Sequence, residues 1–227
     1  MSDLSNKVAF VANADSAIGR ACVSSLASAG AKVCVAGAAA QGADLAVDVN
    51  SGDSDAWDSA FNICIETLGS LDVLVIPTSA TSATSIEETS FQDFVSSHRS
   101  MAVPAFLAQN RGILAMRTSG PGGAVVHVIP AAARSGLDGA VAACAASAGI
   151  LFSSKSAALE CAKAKDGIVV NAVLVGPVAG EPPLPYPEHV TAVPPQAVAD
   201  AVLFYATDGA VYMSGMDLPV DGGFLAG

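Results

Sequence analysis

The stretch KVAFVANADSAIGRACVSSLASAGAKVCVA, Lys7 to Ala36, changes its period twice. Lys7 to Val11 is a short apolar run followed by small and polar residues. Ile18, Cys22, Leu26 and Ala29 then recur at helical spacing up to Gly30, and Lys32 to Ala36 is a second apolar run. The pattern predicts strand, turn, helix, strand. Strands that are apolar throughout rather than alternating belong in a sheet covered on both faces, so the stretch predicts a βαβ unit with helices on both sides.

The same alternation continues along the chain. Ala56 to Leu68 reads as a helix, Leu71 to Ile76 as a buried strand, and Phe91 to Met116 as a long helical region. Ala124 to Ile129 is a strand, Val141 to Ala164 a helix rich in Ala, Ser and Gly, and Ile168 to Val175 a strand. A Pro-rich loop, GPVAGEPPLPYPEHVTAVPP, precedes a helix from Gln196 to Thr207 and a last strand from Met216 to Val220. No repeat or linker divides these pieces, and the length suits one α/β domain over residues 1–227 rather than two. The expected fold is a single Rossmann-like, doubly wound parallel sheet.

Composition narrows the function classes. Hydrophobic residues make up 52% and charged residues 14%, with a mean hydropathy of +0.52, which favours a well-buried chain that presents oligomer interfaces. A net charge of −11 gives no cationic footprint for phosphate backbones, so nucleic acid and anionic membrane are not expected partners. The five cysteines, Cys22, Cys34, Cys64, Cys144 and Cys161, have neither CxxC nor Cys/His ligand spacing. They read as reduced thiols, with no metal site expected. The start MSDLSNK lacks an apolar signal core and no uninterrupted apolar run reaches membrane-spanning length, so the chain is expected to be cytoplasmic.

The order of elements resembles a short-chain dehydrogenase/reductase from about Asn6 to Gly223. VANADSAIGRA is similar to VTGxxxGIGRA, LAVDV to the adenine-side DV element, and VNAVLVGP to VNAVAPG. AVADAVLFYATDGAVYMSGMDLPVDGG is similar to the family's terminal helix and strand. The resemblance also implies a substrate loop between Gly176 and the helix near Gln196, and here that loop is short and Pro-rich.

The residues that carry chemistry in that family are replaced. Asn13 and Ala17 take two of three glycine places in the first turn, and only Gly19 remains. Ala17 puts a Cβ where phosphates approach, Asn13 can keep the turn by adopting a left-handed conformation, and Asp15 adds negative charge there, as a helix cap or otherwise. The second strand ends in Ala36 and Gly37, with neither acid nor base for the adenosine ribose. Asp48 is kept, Ile76 begins the segment that replaces NNAG, and Gly180 falls near the threonine that would hold a nicotinamide carboxamide. The four positions of the catalytic tetrad fall on Met101, Pro130, Ala143 and Ser147, and proton transfer needs ionisable groups that these side chains lack. His98, His127, Ser135, Ser153 and Ser154 have no evident activating partners in the sequence.

The resemblance, with these losses, implies a non-catalytic subunit without a cofactor or catalytic residues of its own. Its expected partner is an active subunit of the same family in a hetero-oligomer, a tetramer, which it scaffolds through retained interface helices. Two alternatives stay open: a stand-alone ligand-binding or regulatory protein, and an enzyme with changed chemistry.

Overall fold

The computed structural model describes residues 3–80, 83–180 and 184–226. Seven parallel strands form one sheet in the order β3-β2-β1-β4-β5-β6-β7. They are β1 (Val8–Val11), β2 (Lys32–Ala36), β3 (Leu45–Val47), β4 (Val73–Pro77), β5 (Gly123–Pro130), β6 (Ile168–Val175) and β7 (Asp217–Val220). The helices are α1 (Ala17–Ser28), α2 (Ser54–Leu68), α3 (Phe91–Ser97), α4 (Val103–Ser119), α5 (Val141–Ala164) and α6 (Pro195–Ala206). A doubly wound sheet is what the continuous apolar strands predict, since successive side chains on each strand face opposite helical layers.

One layer packs Phe10, Trp57, Phe61, Leu74, Val125 and Ile129 together with inward residues of α4 and α5. The other packs Val11, Ile18, Leu26, Val126, Val128 and Val202 beneath α1 and α6. Phe10, Trp57 and Phe61 make a compact aromatic group, with Phe10 and Phe61 centroids 4.8 Å apart and Trp57 and Phe61 centroids 5.7 Å apart. Burial of aromatic area on this scale dominates core energetics.

Two elements add detail to the sequence expectation. The region from Phe91 is not one α-helix, because a π turn at His98–Ala102 divides it. Its physical cause is Pro104, which has no N–H to offer the carbonyl four residues back; the Val103 amide reaches back to His98 instead. The short strand β3 lines the outer edge beyond β2. The helix α5 is long and apolar enough to cross a bilayer by length and composition, yet its Ala143, Ile150, Leu151 and Cys161 are buried in the core.

Candidate active site

Strand order reverses between β1 and β4, so the chain leaves β1 toward one edge of the sheet and β4 toward the other. A crevice must open at the carboxyl ends of those two strands. It holds a cleft of about 400 Å³ lined by Asn13, Asp15, Gly37, Asp48, Ile76 and Met101, among others. A second cavity of about 40 Å³ is lined by Pro130, Val175, Pro177, Leu184 and Tyr186. Thr78 and Ser79 line both, so the two spaces run on from each other along the strand ends.

The first turn is tighter than its altered glycines suggest. Ser16 caps α1, its hydroxyl accepting from the Gly19 amide at 2.9 Å and donating to the Asn13 carbonyl at 3.1 Å. A Cβ on Gly19 would stand 2.0 Å from the Asn13 oxygen, so this glycine is what lets helix and turn approach. Asn13 does not take the left-handed conformation expected of it; among the described non-glycine residues only Asn6 and Lys165 have positive φ.

Asp15 also departs from expectation. It is not the cap: its Oδ1 accepts from the Ala38 amide at 3.3 Å, and its Oδ2 lies 2.7 Å from where a Gly37 Cβ would be. The carboxylate therefore occupies the start of the space that a side chain at the end of β2 would fill. Position 37 itself has no acid, but the first turn delivers one to the same place. Asp48, just past β3, is exposed and faces the cleft.

Of the four degenerate positions, Pro130 lines the smaller cavity and Met101 the larger cleft, while Ala143 and Ser147 line neither. Pro130 ends β5 and pairs with Val175 of β6. Met101 is buried within the π turn, and Ala143 and Ser147 are buried on α5. The Ser147 hydroxyl has no hydrogen-bond partner among the described residues. Gly180 lines neither cavity, and a side chain there would meet nothing within 4 Å; Pro177 and Val178 hold the place the sequence assigned to it.

The remaining candidates are structural. His127 is fully buried, with Nε2 2.8 Å from Gln109 Oε1, and burial pushes its pKa down to about 4. His98 bonds to the Phe94 carbonyl at the surface, while Ser153 and Ser154 donate to carbonyls of their own helix. Burial pushes the Cys22 thiol up to about 12 and the Cys161 thiol up to about 11, so neither is a ready nucleophile.

Tyr186 was not singled out in the sequence. It sits on the loop after β6 and lines the smaller cavity, with its hydroxyl donating to the Val175 carbonyl at 3.1 Å. Its ring meets Phe224 edge-on, centroids 4.9 Å apart. Burial pushes its pKa up to about 12, against the backbone of Ala132 and Ala131, which favours the ionised form.

Residues 7–182 match the short chain dehydrogenase family. The 2,5-dichloro-2,5-cyclohexadiene-1,4-diol dehydrogenase of Sphingobium indicum is 27% identical over 186 residues, which are 77% of this chain and 73% of that protein. The trans-4-hydroxycyclohexanecarboxylate dehydrogenase of Sinomonas cyclohexanicum is 26% identical over 194 residues, 81% of this chain and 71% of that one. Among solved structures, a phenylalanine-to-leucine double mutant of a Serratia marcescens short-chain dehydrogenase/reductase superposes with a TM-score of 0.85 at 26% identity, covering 97% of this chain and 98% of that one. Carveol dehydrogenase from Mycobacterium avium, in complex with NAD, shares the fold with a TM-score of 0.86 at 22% identity over the full length of both chains.

These comparisons correct the functional expectation. The curated relatives are named as dehydrogenases, which overturns the expectation of a non-catalytic scaffold subunit and points to an oxidoreductase. The losses at Met101, Pro130, Ala143 and Ser147 carried that expectation; beside them the crevice holds the Asp15 carboxylate of the first turn and the Tyr186 phenol of the loop after β6.

Proposed function

Because the chain belongs to the short chain dehydrogenase family, we propose that it is an NAD-linked oxidoreductase interconverting a secondary alcohol on a small carbon ring and the corresponding ketone. The observation that carries this reading is the Asp15 carboxylate at the end of β2 inside a cleft of about 400 Å³. A carboxylate accepts hydrogen bonds from the two hydroxyls of an adenosine ribose, and it repels a phosphate on the 2′ oxygen. No lysine or arginine lines that cleft among the described residues, which favours NAD over NADP. Ring alcohols as substrates are suggested by the two curated relatives, each named for an alcohol on a six-membered carbocycle.

The adenosine half of a dinucleotide would be held in the larger cleft, whose lining includes Asp15 and Asp48. The smaller cavity, about 40 Å³ and lined by Pro130, Val175 and Leu184, has no room for a nicotinamide ring as these side chains stand. When bound, the dinucleotide would supply the hydride acceptor or donor. The chain's own contribution is an apolar wall. Pro130, Val175 and Leu184 line the smaller cavity and would keep water from a reacting carbon brought beside them.

The test is a fluorescence titration of the purified chain with NADH and with NADPH, followed by turnover of trans-4-hydroxycyclohexanecarboxylate with NAD and of its ketone with NADH. Saturable NADH binding at least tenfold tighter than NADPH binding, with turnover in either direction, is expected. A chain that binds neither dinucleotide overturns the reading.

A further inference from the structure

The crevice treats the parts of a nucleotide unequally. Its larger cleft, about 400 Å³, sets two carboxylates, Asp15 and Asp48, beside the apolar side chains of Val49, Ile76 and Ala105. An ionised carboxylate only accepts hydrogen bonds, so a matching ligand presents hydroxyl or amino donors. Apolar walls with a few convergent polar groups suit a ring that carries such donors.

The same crevice turns negative charge away. Free N–H groups at a helix start are what would hold a phosphate there, and at the start of α1 the Ser16 hydroxyl already takes the Gly19 amide at 2.9 Å. The Asp15 carboxylate stands beside that turn, with Oδ1 3.3 Å from the Ala38 amide nitrogen, and a phosphate brought there meets a like charge. No lysine or arginine lines the cleft among the described residues. Arg20, in the first turn of α1, spends a guanidinium N–H on the Asp15 backbone carbonyl and is not part of that lining. Further along the strand ends, the smaller cavity of about 40 Å³ leaves no space for a second ring.

We propose that the larger cleft selects an uncharged nucleoside over its phosphorylated forms. The sugar hydroxyls and an amino group on the base donate to the two carboxylates, and the base lies against the apolar walls. A free nucleoside then shuts out any dinucleotide by filling the same space, which makes it an inhibitor of the activity proposed above. The inference rests on the cleft of that reading and not on turnover.

Trp57 is the chain's single tryptophan and lines this cleft, so its fluorescence reports what enters. The experiment titrates the purified chain with adenosine, with metal-free ADP and with NADH, by calorimetry and by Trp57 fluorescence. Adenosine is expected to saturate both signals, to bind at least about tenfold more tightly than ADP, roughly 1.4 kcal/mol, and to displace NADH. Salt screens repulsion between charges, over about 10 Å at 0.1 M, so added salt should strengthen ADP binding and leave adenosine binding unchanged. ADP binding within tenfold of adenosine, or weakening as salt rises, overturns the proposal and leaves the oxidoreductase reading to its own test. NADH binding by a chain that ignores adenosine also overturns the proposal alone. Adenosine binding by a chain that refuses NADH upholds the proposal and ends the oxidoreductase reading, and a chain that binds none of the three ends both.

Discussion

Asp15→Asn removes one charge from the end of β2 while keeping an oxygen within reach of the Ala38 amide. If that carboxylate selects the cofactor, the variant binds NADPH about tenfold more tightly than wild type does, the equivalent of roughly 1.4 kcal/mol, and NADH a few-fold more weakly. Equal NADPH affinity in the two proteins would remove Asp15 from the site. A second residue acts through burial alone. His127 has one nitrogen on Gln109 and the other, Nδ1, without a partner among the described residues, and burial holds its pKa near 4 against 6.5 in the unfolded chain. As pH falls, the unfolded state takes up a proton first. The contribution to stability is therefore full above pH 6.5 and lost as pH drops toward 4, by at most about 3 kcal/mol. Urea midpoints measured at pH 7.5 and 4.5 should fall less in His127→Leu/Gln109→Leu, where both polar partners leave together, than in wild type. The same fall in both proteins would place the acid sensitivity elsewhere.

Helices α4 and α5 carry two glycines with opposite roles. A Cβ on Gly112 of α4 would lie 2.3 Å from Leu74 Cδ2 and 3.3 Å from Phe61 Cζ, so Gly112→Ala pushes Leu74 off its place in β4. Overpacking of this kind costs about 1–3 kcal/mol, more than the roughly 1 kcal/mol that alanine gains over glycine in a helix. A Cβ on Gly149 of α5 would meet nothing within 4 Å, so Gly149→Ala gains that propensity unopposed. Thermal melts should move down for the first variant and up for the second; two shifts of the same sign would contradict the packing read here. The same helices show what a sequence can and cannot tell. The ends of α5 and β6 match the span of their apolar patterns, Val141–Ala164 and Ile168–Val175: β6 lies buried in the sheet, and α5 is apolar on its exposed face as well as on the face that meets the core. The break at His98–Ala102 had a signal, Pro104, that periodicity alone passes over. For the site, the losses at Pro130, Ala143 and Ser147 were plain because flanking motifs fix their register. Asp15 was legible as a charge at the first turn but not as a carboxylate beside the end of β2, and Tyr186 was not legible at all, since what places them is a turn folding across to β2 and a loop folding back over β5, long-range contacts with no local period. Leu184 belongs with them: Leu184→Ala should widen the smaller cavity and tighten NADH binding several-fold by calorimetry, whereas weaker binding would make Leu184 a supporting wall rather than an obstacle.

On the whole molecule, apolar surface is distributed unevenly. Phe106 and Leu114 on α4, and Phe152 and Leu159 on α5, are 51%, 44%, 66% and 74% exposed, and a groove of about 270 Å³ runs between the two helices. Such a patch on a chain with net charge −11 is hard to leave in water. We propose that a second copy of this chain covers it, through small and apolar residues that let helices approach closely. Two acidic copies repel over their remaining surface, and that repulsion is screened by salt over about 10 Å at 0.1 M, whereas burial of the apolar face is not weakened by it. Association should therefore strengthen from 10 mM to 300 mM salt. Native mass measurement at micromolar concentration should return a multiple of 22.4 kDa, and Phe152→Glu/Leu159→Glu should return single chains whose melting temperature falls as the interface is lost. Wild type that stays a single chain at both salt concentrations would mean that something other than its own copy covers α4 and α5.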